Sequence, residues 1–459
     1  MEDTRVIRYR PVAAKDVDEA FSLETRSYPA DEAATLEKLT YRQLNAPEYF
    51  LGAFDDATGS MLGFVTSTRA PNLDHESLSH HDPTASVLAI HSVCVSPDHR
   101  RLKIGRIMLT KYVNMILLRS GDDGLKEIRL IAKAELLSFY VSCGFAVCGP
   151  SAVVHGADQW FDLTLDVVSR RRSYCVVDCF SESPGGGNPA AVVMCQGDDK
   201  WMQCVARELN LTTAFVTARP GGGEDDYSIR FFVGSGIELP LCGHATLATS
   251  AILFSKSVVP SGRPVNFFTA TGLKLSATSP TPRTISLDFP LNFPMALPAS
   301  DESVAVVRSQ ILATLRASFG VDEDKVEFLG STADDAFVCL RQDAFAALPA
   351  VPDLAVLKGP DCGFRRGVIL FTAGDSARSS GANFSSRFFA PKVGIEEDPT
   401  CGSAHCALSA YFYPTMGNSL LGWQDSKRGG LIRCEVSPET KRVLLSGPYC
   451  VVSSGTLAF

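Results

Sequence analysis

The sequence predicts a mixed α/β and α+β architecture in two regions, and three observations carry that expectation. Up to about residue 166, strand-like and helix-like segments alternate in the manner of a mixed sheet with flanking helices. From residue 174 onward, short apolar runs are separated by Gly and Pro turns. Within that second region a single pattern occurs twice. Ser228-Ile229-Arg230-Phe231-Phe232 precedes a run starting Cys242-Gly243-His244-Ala245, and Ser385-Ser386-Arg387-Phe388-Phe389 precedes one starting Cys401-Gly402-Ser403-Ala404. Over 242–254 against 401–413, six of 13 positions are identical. The repeat implies a duplicated half, each copy opening a small-residue central helix with Cys-Gly.

In the first region the expected order is strand, helix, helix, then a strand pair around 51–54 and 63–67. A polar loop follows at 69–83, whose His80 and His81 read as solvated. A buried strand at 87–95, a helix at 105–118, a strand at 128–131, a helix at 136–143 and a last strand at 160–165 complete it. Gly144 ends the helix at 136–143. A short basic linker, 169–173, joins a new strand at 174–178, so the two regions are expected to touch. The proline-rich stretch 279–300 is expected to carry the chain from one half to the other.

A chain of 459 residues exceeds one ordinary core. Its net charge of −8 argues against a nucleic-acid partner, which calls for a basic face. No apolar run reaches bilayer-spanning length, so no membrane partner is expected. The polar N-terminus shows no secretory pattern. The 14 Cys contain no CxxC and no metal-ligand spacing, which fits reduced thiols in a cytoplasmic protein without a metal site.

The run His91-Ser92-Val93-Cys94-Val95 leads through Arg100-Arg101-Leu102-Lys103-Ile104-Gly105-Arg106 into a helix. Free amides at a helix start, beside arginines, suit a pyrophosphate. Downstream lies Phe139-Tyr140-Val141-Ser142-Cys143-Gly144-Phe145. Together these segments resemble the GNAT acetyltransferases over about residues 5–168, and most of all their arylalkylamine (serotonin-type) branch, which Pro47-Glu48-Tyr49-Phe50-Leu51-Gly52 also suits. The resemblance implies acetyl-CoA as co-substrate and a small amine as acceptor, an arylalkylamine or polyamine. It implies that Arg100, Arg101, Lys103, Gly105 and Arg106 hold the pyrophosphate. The strand amides at Val93, Cys94 and Val95 would polarise the thioester carbonyl, His91 would take the amine's proton through water, and Tyr140 would protonate the leaving thiolate. Two departures stand out: Lys103 occupies the loop's first glycine position, and Ala89 replaces a second histidine. Read without the resemblance, His91 and Tyr140 are equally at home as core residues.

The second region carries Gly187-Asn188-Pro189, Glu238-Leu239-Pro240-Leu241-Cys242-Gly243-His244, Asp398-Pro399-Thr400-Cys401-Gly402-Ser403 and Asp425-Ser426-Lys427-Arg428-Gly429-Gly430. This set resembles the phenazine-biosynthesis-like isomerases, relatives of diaminopimelate epimerase, over 173–459. The resemblance implies two pseudo-symmetric α/β half-barrels, about 173–300 and 301–459, each around a central helix. It also implies a small carboxylate ligand between them and a possible homodimer through this domain. Asn188, Gly243, Gly402 and Ser403 would bind the ligand, and His244 and Asp398 would assist proton transfer. The phenazine-type Glu is absent after Asn210-Leu211-Thr212. Cys242 and Cys401 match the paired thiols of the epimerase relatives, with helix N-termini expected to lower their pKa. Three readings stay open here: a two-thiol epimerase, another proton-transfer isomerase, or a domain that only binds metabolites, its cysteines serving as packing.

Overall fold

In a computed structural model the described residues are 6–73, 80–118, 124–153, 158–223, 225–256, 258–260, 262–376, 378 and 381–457. Among them, strands of the first region form one sheet in the order Ile7–Pro11, Phe50–Asp55, Met61–Ala70, Val87–Val95, Glu127–Lys133, Trp160–Asp166, Ala146–Pro150. Met61–Ala70 is buried along its whole length as a central strand, apolar from Met61 to Val65 and polar from Thr66 to Arg69. Helix Ile104–Leu117 buries Ile104, Met108, Leu109, Tyr112, Val113 and Ile116, an apolar stripe at helical spacing laid against the sheet.

One pairing decides where this domain opens. Val87–Val95 and Glu127–Lys133 run parallel, yet they pair only from Val87 with Glu127 to Ala89 with Arg129. Beyond Ala89 the strands separate. On its other edge Val87–Val95 stays paired with Met61–Ala70, with a register shift that leaves His91 as the extra residue opposite Thr66 and Ser67. A bulge of this kind re-aims a side chain beside a site.

The second region is built on the duplication. Strands Ser173–Cys179, Asn188–Val193, Thr212–Ala218, Asp226–Phe232, Val265–Thr269, Lys274–Thr281, Thr284–Pro290 and Arg442–Thr456 pair in a closed ring around helix Gly243–Ser255. A matching set from Val326–Ser331 to Gly430–Ser437 wraps helix Gly402–Met416. In each half the central helix is the crossover between two parallel strands, Asp226–Phe232 with Val265–Thr269 and Phe384–Ala390 with Ser419–Gln424. Residues 245–254 are all buried, so that helix is enclosed on every side. Its hydroxyls are satisfied along the helix, as where Thr246 Oγ1 donates to the Cys242 carbonyl at 2.7 Å. The repeated arginines are structural. Arg230 forms a bidentate pair with Glu238, and Arg387 with Glu397, each acid four residues before its half's Cys. The C-terminal strand belongs to both halves: 442–448 lies between Thr284–Pro290 and Gly430–Ser437, while 449–456 pairs with Ser173–Cys179.

Four local expectations change. The basic linker contributes to a short helix, Val167–Arg171, because the Asp166 carboxylate accepts from Ser169 N at its start. An additional strand, Ala146–Pro150, pairs with Trp160–Asp166. Residues 279–290 are not a connection: they form much of two antiparallel strands, whose prolines fall near strand ends. His81 is a packed residue, since its Nδ1 accepts from Arg69 N at 3.1 Å and its ring lies 5.9 Å from that of Tyr49. The two regions touch, as expected: Ala218 N donates to the Leu118 carbonyl at 2.7 Å and Lys111 Nζ to that of Val258 at 2.9 Å.

Candidate active sites

Where the first sheet splits, a cavity of about 800 Å³ opens, bounded by both separated strands and the start of helix Ile104–Leu117. His91, Val93, Cys94, Val95, Arg100, Arg101, Lys103, Gly105, Arg106 and Tyr140 all line it. Ser96 N donates to the Leu62 carbonyl, so alternate residues back from Ser96, Cys94 among them, turn their amides into the ladder. Val93 and Val95 therefore face the gap. The Cys94 amide does not, and its thiol instead contacts the Leu23 carbonyl at 3.6 Å, a correction to its expected role. Lys103 sits in the left-handed region at φ 63, as does Arg101 at φ 65, so the loop keeps a glycine-like conformation without the glycine. No side chain caps the helix start, which leaves its first amides free for an anion.

His91 Nε2 lies 2.7 Å from Thr68 Oγ1, and its buried Nδ1 has no partner among the described residues. Burial, then the charges of Arg42 and Lys38, hold its imidazole well below the usual range. Tyr140 is buried edge-on between Phe139 and Phe145, and burial raises its hydroxyl above the ordinary phenol value. Three wall residues escaped the motifs. Tyr28 donates to the Val93 carbonyl at 3.0 Å. Glu24 is almost fully buried and accepts from Ser92 Oγ and Ala34 N. Arg42 is buried on the apolar face of helix Leu36–Asn45, beside Leu39. An arginine three residues from a leucine on one helix face was the available signal.

The second constellation lies where the halves meet. Cys242 and Cys401 are the N-cap residues of the two central helices. Cys242 Sγ is 3.4 Å from His244 Nδ1. Across the halves, Asn188 Nδ2 donates to Asp398 Oδ1 at 2.7 Å and to the Thr400 carbonyl at 2.9 Å. The Asn188 amide nitrogen is thus spent inside the protein, and its expected ligand contact falls to Oδ1. Gly187 sets Asn188 in place: it has φ 59, and a Cβ there would meet the Cys179 carbonyl at 2.0 Å. Gly243 and Gly402 lie under no such crowding. Cys401 Sγ is 3.2 Å from Ser403 Oγ, which also accepts from Arg366 Nη1 at 3.2 Å. Arg366, itself held by Asp335, and Gln424, whose Oε1 accepts from Cys401 N, complete a frame that the motifs did not reveal.

The thiols overturn one expectation. Burial pushes Cys242 up to about 12 and raises Cys401 well above an ordinary thiol, the Asp398 charge adding to both. Desolvation outweighs the helix N-termini, and both are thiols at neutral pH. Burial also lowers His244, against the opposing charge of Asp398. Among the described residues no group of three or more His, Cys, Asp or Glu is placed to hold a metal. No described helix is long and apolar enough to cross a membrane.

Residues 177–455 match the family model described as phenazine biosynthesis-like protein, and residues 17–145 match that of the acetyltransferase (GNAT) family. An uncharacterized isomerase of Pseudomonas aeruginosa is 36% identical over 288 residues, covering 61% of this chain and 96% of its own. The human phenazine biosynthesis-like domain-containing protein is 33% identical over 293 residues, covering 61% and 97%. A crystal structure of a PhzF-family phenazine biosynthesis protein from Enterococcus faecalis aligns with a TM-score of 0.52 at 32% identity, covering 62% of this chain and 99% of that one. The chain belongs to the phenazine biosynthesis-like protein family and carries a GNAT acetyltransferase domain ahead of that region.

Proposed function

We propose that the N-terminal domain transfers an acetyl group from acetyl-CoA to a small primary amine. The observation that carries this reading is the single cavity at the strand split, which gathers the basic loop, the free strand amides, His91 and Tyr140. The residues fit the co-substrate. The uncapped helix start and Arg100, Arg101, Lys103 and Arg106 suit the pyrophosphate, and the gap-facing amides of Val93 and Val95 suit the carbonyl oxygen. An ammonium of pKa near 10 must first lose a proton, and neutral His91 accepts it through water. The amine's lone pair then forms the C–N bond, the C–S bond breaks, and the electron pair leaves on sulfur. Tyr140 donates a hydrogen bond to that sulfur. Because its pKa is raised, the proton that finally rests on the thiol is the nitrogen's second one, relayed through the Tyr140 hydroxyl. Tyr140→Phe is expected to lower kcat about 100-fold with little change in acetyl-CoA affinity. Full turnover in that variant removes the role.

For the second domain we propose a proton-transfer isomerisation of a small carboxylate, with His244 rather than a thiolate as the base. Ionising a thiol of pKa about 12 at pH 7 costs roughly 7 kcal/mol. His244 is neutral, and Asp398 stabilises the imidazolium formed when it takes a carbon-bound proton. The imidazolium then returns that proton to another atom of the substrate, directly or through Cys242, whose thiol 3.4 Å away can give up its proton as it takes the one on His244, so that no thiolate is left. Substrate-dependent exchange with solvent deuterium tests this: His244→Gln should abolish exchange and Cys242→Ser should retain some of it. The reverse pattern restores the two-thiol mechanism.

A further inference from the structure

Four buried polar atoms around the acetyl-transfer cavity have no partner among the described residues: His91 Nδ1, His99 Nδ1, Glu24 Oε2 and Arg42 Nη1. All four residues line that cavity, and two of them, Glu24 and Arg42, are charge-bearing side chains of the helices that wall it. Glu24 and Arg42 are 2% and 4% exposed, and no described ion pair joins them although each feels the other's charge. Buried charges are ordinarily paired, since an unpaired one loses its hydration without compensation. Leaving a carboxylate and a guanidinium both incomplete in one cavity wall is the signature of a site completed by a ligand carrying both charges.

The two ends come from different elements. Glu24 belongs to helix Val17–Ser27, beside Ser92. Arg42 belongs to the neighbouring helix Leu36–Asn45, and Lys38, one turn before it, lines the same cavity. The acceptor region therefore has an acidic point close to the bulged strand and two cations on one helix. A polyamine or a simple arylalkylamine satisfies only the acid and meets the two cations unfavourably. A compound with an ammonium and a carboxylate satisfies both.

Resting on the acetyl-transfer reading, we propose that the acceptor is an amino acid, its ammonium held at Glu24 and its carboxylate bound by Arg42 with Lys38. Selectivity then comes from Arg42, whose planar fork matches a carboxylate bidentately.

The test compares amino acids with the amines that lack only the carboxylate: phenylalanine with phenethylamine, tryptophan with tryptamine, ornithine with putrescine. In the full-length protein, kcat/KM for the best amino acid is expected to exceed that for its amine by at least 100-fold. Arg42→Met should collapse this ratio, and Arg42→Lys should restore some of it even where the larger change impairs folding. Thermal shift supplies a readout free of turnover: the amino acid should raise the melting temperature of the unmodified protein and not of Arg42→Met. Equal or better use of the bare amines overturns the proposal and leaves acetyl transfer standing. Amino-acid binding that depends on Arg42 without acetylation upholds the site and overturns acetyl transfer. Neither binding nor turnover with any pair overturns the acceptor assignment.

Discussion

Replacing Lys103 by glycine should move stability and cofactor affinity in opposite directions. Lys103 caps helix Ile104–Leu117 at φ 63 and ψ 3, in the left-handed region. For a residue with a Cβ this conformation costs about 1–2 kcal/mol. Glycine removes that strain but adds unfolded-chain entropy worth about 0.4–1 kcal/mol. The net gain is about 0.5–1 kcal/mol, or roughly 2 °C for a domain of this size. The same change deletes an ammonium beside the expected pyrophosphate. One such charge at about 4 Å in high dielectric contributes about 1 kcal/mol, a roughly fivefold loss of acetyl-CoA affinity. That loss should shrink in high salt. Differential scanning calorimetry and isothermal titration of acetyl-CoA at low and high salt read both quantities. A lower melting temperature would show that the left-handed conformation is not strained, and an unchanged Kd would remove Lys103 from the phosphate site.

Two further outcomes follow from burial. At pH 8, iodoacetamide should modify the exposed Cys148 and Cys204 well before Cys242 and Cys401, whose thiols are buried and raised; mass spectrometry showing either central thiol among the first modified would contradict the neutral-thiol site. His405 is fully buried, with Nδ1 2.8 Å from the Cys401 carbonyl, and burial pushes it down to about 4. Its folded value lies below the unfolded value near 6.5, so the folded state resists protonation. Its contribution is present above pH 6.5 and is lost as pH falls toward 4, by roughly 3 kcal/mol. His405→Gln should flatten the urea-measured stability between pH 7 and 4.5, and an unchanged pH slope would rule out that burial.

Much of the architecture was legible because it rests on local pattern. Alternating elements placed the first sheet, and the repeated Cys-Gly runs located both central helices. The repeat's arginines were visible too, but not their purpose, since the Glu238 and Glu397 that hold them are reached only across a strand turn. The first site was readable where it depends on a continuous loop, from Arg100 to Arg106. It was opaque where it depends on packing. Glu24 and Arg42 come from helices with no motif and Tyr28 from the end of one, and Arg366, just before strand Gly367–Ala373, and Gln424, the last residue of strand Ser419–Gln424, reach the Cys401 region from either side of it in sequence.

By itself the sequence determined the family membership of each domain, the order of elements, and which residue types line a loop or start a helix. These follow from periodicity, turn residues and short motifs, all of them properties of neighbours along the chain. Only the tertiary structure decided the protonation of the sites. Cys242 and Cys401 begin helices that should favour thiolates, yet the strands closed around them remove the water that a thiolate needs, and desolvation wins. The same holds for Arg42. A charge on a ten-residue helix became a candidate ligand group only when the fold buried it with Nη1 unpartnered among the described residues, because burial, not identity, sets what an unpaired charge costs.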